Sequence, residues 1–164
     1  MGKSVADARN GGSSGCVEVG AFGKEAYILT GYFNLPKVLE IALNDGVDPR
    51  TGKRLGPATG DPAAFRTFDE LFEAFRTQVR HFVDIKVRGS NVIEKLYAAY
   101  LPAPFLSVLI DDCVKNGRDY HAGGARYNTN YIQGVGVGTI TDVLSAIKYN
   151  VYDHGHFTMK ELMA

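Results

Sequence analysis

Cys16 stands at the end of a glycine-rich run, Gly11-Gly12-Ser13-Ser14-Gly15, with a carboxylate, Glu18, two positions further on. In extended chain, side chains at i and i+2 point to the same side. A sulfur that gives or accepts hydrogen and an acid–base group would then face one pocket. A thiol packed as a small apolar side chain beside a solvated glutamate has the same spacing. A nucleophilic thiolate activated by histidine is a second chemistry. His81, His121, His154 and His156 are available for it, but no spacing brings any of them to Cys16. Glu18 also opposes it, because a neighbouring negative charge disfavours a standing thiolate. His154-Gly155-His156 offers two metal ligands with no further His or Cys cluster at ligand spacing, and reads as a polar turn. Gly134-Val135-Gly136-Val137-Gly138-Thr139 lacks the Gly-Lys-Ser/Thr of a phosphate loop and has Thr139 where a dinucleotide fingerprint needs glycine. It reads as tight strand-to-helix packing. Asp111-Asp112 reads as the polar end of an amphipathic element, and Cys113 as a core thiol.

The elements that must position these residues follow from the pattern around them. Residues 1–15 read as a loop delivering a short extended segment at 16–19. Residues 20–33 are punctuated by Gly20, Gly23 and Gly31, and predict irregular structure with a short strand. Asn34 as N-cap, Pro36 in the first turn, and Val38, Leu39, Ile41 and Ala42 predict a short helix ending before Asn44-Asp45-Gly46. From Gly46 to Arg66 the density of Gly and Pro predicts a long surface loop. Thr67-Phe68-Asp69-Glu70 has capping-box form. The apolar spacing after it predicts a helix of some thirty residues, with Gly89 as a candidate kink, ending at Leu101-Pro102. Residues 105–116 fit a short helix or a buried strand equally. A turn at 119–125, a strand at 131–137 and a helix over roughly 142–150, capped by Thr139 or Thr141, complete the reading.

Composition bounds the class. Eighteen Lys plus Arg balance eighteen Asp plus Glu among 164 residues, and 45% of the chain is hydrophobic, enough for one packed domain. Zero net charge and the absence of a long run of one sign give no reason to expect a nucleic acid or an anionic membrane as partner. Two cysteines cannot form a disulfide scaffold and fit a reducing compartment. The first fifteen residues have no apolar core of a signal peptide, and no stretch approaches the ~20 apolar residues of a membrane span. A cytoplasmic protein is expected.

Two stretches, DARNGGSSGCVEVGAFGKEAYILTGYFNLPKVLEIALNDG and GGARYNTNYIQGVGVGTITDVLSAIKYNV, closely resemble the glycyl radical enzymes with a pyruvate formate-lyase domain. Gly15-Cys16-Val17-Glu18 resembles the thiyl-loop motif of the dehydratase and lyase branch. Pyruvate formate-lyase itself carries two adjacent cysteines there, whereas Val17 follows Cys16 here, which argues against formate C-acetyltransferase activity. Within the branch the similarity is greatest to trans-4-hydroxy-L-proline dehydratases. Glycerol, choline, propanediol and isethionate enzymes share the Gly-Cys-Val-Glu element.

The resemblance implies an α/β fold, part of a ten-stranded barrel that carries the cysteine loop and long helices. It also implies a mechanism. An activating enzyme using S-adenosylmethionine and an iron–sulfur cluster installs a radical on a backbone glycine. Cys16 becomes a thiyl that abstracts hydrogen from a small-molecule substrate, and Glu18 handles protons as a neighbouring group leaves. Tyr32 resembles a substrate-facing tyrosine, with an aromatic packed under the loop as the alternative. Arg126, Tyr127 and Asn128 match a Gly-Gly-X-X-Tyr-Asn segment expected to support loop geometry. The family implies a homodimer, and no cofactor bound in this chain. Family members are several times longer and carry an Arg-Val-X-Gly-Tyr-type loop, whereas Lys86-Val87-Arg88-Gly89 is helical in pattern. The expectation is therefore a single incomplete domain spanning 1–164, lacking the glycine radical domain and inactive alone. It should also expose apolar faces.

Overall fold

The computed structural model describes residues 2–15 and 18–164, arranged as two compact units. One unit comprises residues 1–31 and 88–133, the other 32–87 and 134–164. The chain is mixed α/β. Its described strands form three two-stranded sheets.

The first unit opens with helix α1 (Val5–Arg9), capped by the Ser4 hydroxyl, which accepts from the Asp7 amide at 3.1 Å. Strands β1 (Gly11–Ser14) and β2 (Glu18–Ala21) pair antiparallel, with Gly11 opposite Ala21 and Ser14 opposite Glu18. The expected loop is thus a helix and a hairpin. Strand β3 (Glu25–Asn34) runs ten residues and pairs with β6 (Tyr127–Val135), where the glycines predicted only a short strand. Its burial alternates from Ala26 through Ile28 to Thr30, the period of a half-covered strand. Residues 104–116 resolve into two short helices, α4 (Pro104–Leu109) and α5 (Cys113–Asn116). The core of this unit joins Ala26, Ile28, Cys113, Tyr120 and Ala125, with Tyr97 and Ile110 packed against it. Cys113 is the core thiol expected of it, and burial, then the charges of Asp119 and Asp112, push its pKa up.

The second unit holds α2 (Leu35–Ala42), capped as predicted by Asn34, whose Oδ1 accepts from the Lys37 amide at 3.1 Å. The breaker-rich loop after it contains a small antiparallel pair, β4 (Val47–Asp48) with β5 (Lys53–Arg54). Buried Gln78 holds this loop, its Nε2 donating to the Pro57 carbonyl at 2.7 Å. The long helix α3 (Phe68–Tyr100) has 33 residues, unbroken through Gly89, and contributes 68–87 here and 88–100 to the first unit. Its capping box forms: Thr67 Oγ1 accepts from the Glu70 amide at 3.3 Å, and Glu70 Oε2 accepts from the Thr67 amide at 3.3 Å.

Helix α6 (Val137–Ile147) begins about five residues before the predicted start. Its N-cap is Gly136, at φ 81°, and a Cβ there would stand 2.6 Å from the Pro36 ring. Thr141 lies inside the helix and bonds the Val137 carbonyl instead of capping. One turn of π-helix at Lys148–Asp153 and helix α7 (Met159–Leu162) follow. Val38, Leu39, Leu71, Phe75, Ile140, Ile147 and Met159 form the core.

Asp48 is the buried charge of this unit. It accepts from Lys37 Nζ at 2.6 Å and Thr51 Oγ1 at 2.7 Å, and the Lys37 ammonium, then Thr51, hold its pKa down to about 2. A depressed carboxylate stabilises the fold above its ordinary value of 3.8, and that contribution disappears as pH falls through about 2. Asp48→Asn should therefore lower the thermal midpoint at pH 7, and the difference from the native chain should close as the pH approaches 2. A constant difference across that range would remove ionisation as the cause.

Among the described residues no helix is long and apolar enough to cross a membrane. Apolar side chains are exposed on both units, Phe105, Val108 and Leu109 on α4 among them.

Candidate functional site

The predicted cysteine loop falls, in sequence, between strands β1 and β2. Pairing of Ser14 with Glu18 leaves residues 15–17 between the strand ends, and of these Cys16 lies outside the described residues, as does Val17. The predicted common side for Cys16 and Glu18 falls there too. Glu18 opens β2, half-buried, with its Oε2 2.9 Å from where a Cβ on Gly15 would stand. The carboxylate is thus folded back over the glycine that precedes Cys16 in sequence.

Three tethers hold β2 within the first unit. The Ala21 amide donates to Glu25 Oε2 at 2.8 Å. Tyr131 donates its hydroxyl to the Val19 carbonyl at 2.8 Å, and its ring stacks on Tyr27 with centroids 5.9 Å apart. The third is β1 itself. Glu25 is 1% exposed and paired with Lys3. Burial raises its pKa, while Lys3 and the Ala21 amide outweigh that and keep it ionised below the usual carboxylate value. Burial and the Glu25 charge push the Tyr27 hydroxyl up. A cavity of about 640 Å³ opens beside these residues, lined by Lys3, Val19, Glu25, Tyr127, Thr129 and Tyr131.

A second polar cluster anchors the base of the hairpin. Asp7, nearly buried in α1, pairs with Lys24 and accepts from the Tyr127 hydroxyl at 2.7 Å; Lys24, then Tyr127, hold its pKa well below the carboxylate range. Arg126 bonds Asp112 through Nε at 2.9 Å and Nη2 at 3.2 Å. Asn128 donates to the Ala125 carbonyl at 2.9 Å. Arg126, Tyr127 and Asn128 thus each bond a neighbouring loop or helix of the same unit.

Tyr32 belongs to the second unit. It is 65% exposed and lines a cavity of about 360 Å³ with Phe33, Lys37, Leu55, Phe82 and Ile85. The histidines make local contacts: His81 Nε2 lies 3.2 Å from the Leu55 carbonyl, and His121 Nδ1 2.6 Å from that of Leu101. His156 Nδ1 lies 3.1 Å from Asn150 Oδ1, and His154 packs on Tyr149. Among the described residues no group of three or more His, Cys, Asp or Glu side chains is placed to hold a metal. The glycine-rich run 134–139 is a strand-to-helix turn packed on Pro36. Sequence reasoning passed over Lys3, Glu25 and Tyr131. The one signal for Glu25 was its place beside Ala26-Tyr27-Ile28, a β-favouring run whose alternation the glycines on either side interrupt.

Comparison with known proteins agrees with this architecture. A family model described as pyruvate formate lyase-like matches residues 1–164. The chain is 57% identical over 162 residues to a trans-4-hydroxy-L-proline dehydratase of Clostridioides difficile, covering 99% of this chain and 20% of that protein. It superposes on the crystal structure of the C. difficile hydroxyproline dehydratase with trans-4-hydroxy-L-proline bound, with a TM-score of 0.91 over 99% of this chain and 20% of that one. A glycyl radical enzyme from Archaeoglobus fulgidus matches with a TM-score of 0.79 and 38% identity, over 94% of this chain and 19% of that structure. The chain thus spans about a fifth of the length of these relatives. The expected α/β fold of the pyruvate formate-lyase type is met.

Proposed function

Because the chain belongs to the pyruvate formate lyase-like family, we propose that it supplies the catalytic hairpin of a glycyl radical dehydratase acting on trans-4-hydroxy-L-proline. The observation that carries this reading is the 57% identity to a dehydratase of that substrate, maintained over 162 residues. The glycyl radical would reside on a segment outside these 164 residues, installed by an S-adenosylmethionine-dependent iron–sulfur activating enzyme, and would supply a hydrogen-atom acceptor for the Cys16 thiol. By itself this partial domain is inactive. The working enzyme is a cytoplasmic homodimer.

Within this chain, Cys16 sulfur takes a hydrogen atom from the substrate carbon next to the hydroxyl-bearing one, and returns it after water has left. Glu18 handles the proton that departure requires; its spacing two positions after Cys16 and its carboxylate folded back over Gly15 support this role. Tyr32 contacts the substrate. A pocket closed to bulk water protects the radical intermediates.

The test is a graft. This chain replaces the matching segment of the C. difficile enzyme, and the product is activated anaerobically. Dehydration of trans-4-hydroxy-L-proline is the expected result. A graft that acquires the glycyl radical and turns over glycerol or isethionate but not hydroxyproline would overturn the substrate.

A further inference from the structure

The hairpin that carries Glu18 is held from beneath by a carboxylate that the proposed reaction does not use. Glu25 Oε2 accepts from the Ala21 amide at the far end of β2 and pairs with Lys3, which precedes α1. It reaches the strand only because residue 20 has no side chain. A Cβ on Gly20 would stand 2.5 Å from Glu25 Oε2 and 2.5 Å from the Tyr27 hydroxyl oxygen. Glu25 Oε1 and the Tyr27 hydroxyl are both buried without a hydrogen-bond partner among the described residues. An ionised carboxylate with one oxygen unsatisfied is a costly thing to keep in a protein interior, so it is retained where it does something an apolar residue could not. Here its visible act is to bond the one β2 amide that it reaches, three residues from Glu18.

We propose that Glu25 is a positioning residue for Glu18: its buried carboxylate, seated against Gly20 and held by Lys3, fixes β2 in register and so fixes where the Glu18 carboxylate sits. This rests on the reading in which Glu18 handles the proton of the elimination. The geometry separates the charge from the hydrogen bond. Glutamine keeps an acceptor for the Ala21 amide and gives up the pairing with Lys3, whereas alanine gives up both.

Amide hydrogen exchange on this chain, with Glu25→Ala and Glu25→Gln beside the native sequence, tests the first half. In Glu25→Ala, exchange at Ala21 and across the β1–β2 pairing should rise roughly tenfold or more, the scale of one buried charged hydrogen bond. Exchange in α2 of the other unit should not change, and Glu25→Gln should restore most of the protection. Unchanged hairpin exchange, or an equal rise in both units, would overturn the proposal.

The second half is read in the graft. Glu25→Ala should lower kcat by roughly tenfold to a hundredfold through misplacement of the proton-handling group, with KM held and partial rescue by Glu25→Gln. A rise in KM alone, or full kcat in a variant whose hairpin has loosened, would show that Glu25 does not position Glu18. A native graft that is inactive on hydroxyproline counts against the proposed function. The exchange measurement still decides whether Glu25 holds the strand.

Discussion

Cys16→Ser in the grafted enzyme should remove turnover while leaving the glycyl radical signal intact. An alcohol holds its hydrogen far more tightly than a thiol does, so serine cannot accept the radical and pass it to a C–H bond. The residual rate should lie below about one part in 10⁴ of the native rate, a barrier rise of more than roughly 5 kcal/mol. Electron paramagnetic resonance of the activated protein supplies the control. A variant that holds the radical and makes no product places Cys16 after radical installation and before substrate. Turnover at even a few per cent would remove Cys16 from the reaction.

Glu18→Gln should have the next largest effect, and a different signature. Glutamine preserves the shape of a side chain that lies against Gly15. It cannot exchange a proton, and loss of a general acid–base group costs typically 10²–10⁴-fold in rate. Hydrogen abstraction by Cys16 does not need that carboxylate. Substrate recovered from deuterated water should therefore still carry deuterium in Glu18→Gln and carry none in Cys16→Ser, because only the first variant can pass hydrogen between a solvent-exchanged thiol and the substrate carbon. Absence of label in both would place Glu18 at the abstraction step and contradict the role proposed for it.

Elements announced by side chains were legible in the sequence. Helix α3 was, because Thr67 and Glu70 mark its start and Leu71, Phe75 and Val79 repeat at helical spacing. Helix α2 was, through Asn34 and Pro36. Elements announced by backbone alone were misplaced. Helix α6 starts at a glycine whose positive φ offers no side-chain cap, so the first threonines beyond it drew the boundary inward. Strand β3 was shortened because Gly23 precedes it and Gly31 lies within it, while Thr30, polar yet buried, bonds Ser90 and Asn130 at 2.7 Å each, far away in sequence. In the candidate site, spacing to Cys16 was the signal that singled out Glu18. Glu25 was not, because a charged residue next to a lysine and a glycine reads as surface until its partners, residues 3 and 21, are brought to it by the fold. Asp7 is the same case, joined to Tyr127 across 120 positions.

The close approach at Gly20 also constrains how this segment can vary. Any side chain at position 20 would occupy space already held by the Glu25 carboxylate and the Tyr27 hydroxyl. An alanine there is admissible only where both the carboxylate at 25 and the hydroxyl at 27 have moved aside or been removed. The three positions therefore form one unit of inheritance, in which the order of substitutions matters. A larger residue at 20 forces the acid at 25 and the hydroxyl at 27 out of their present seats, so it enters at least cost after both have changed.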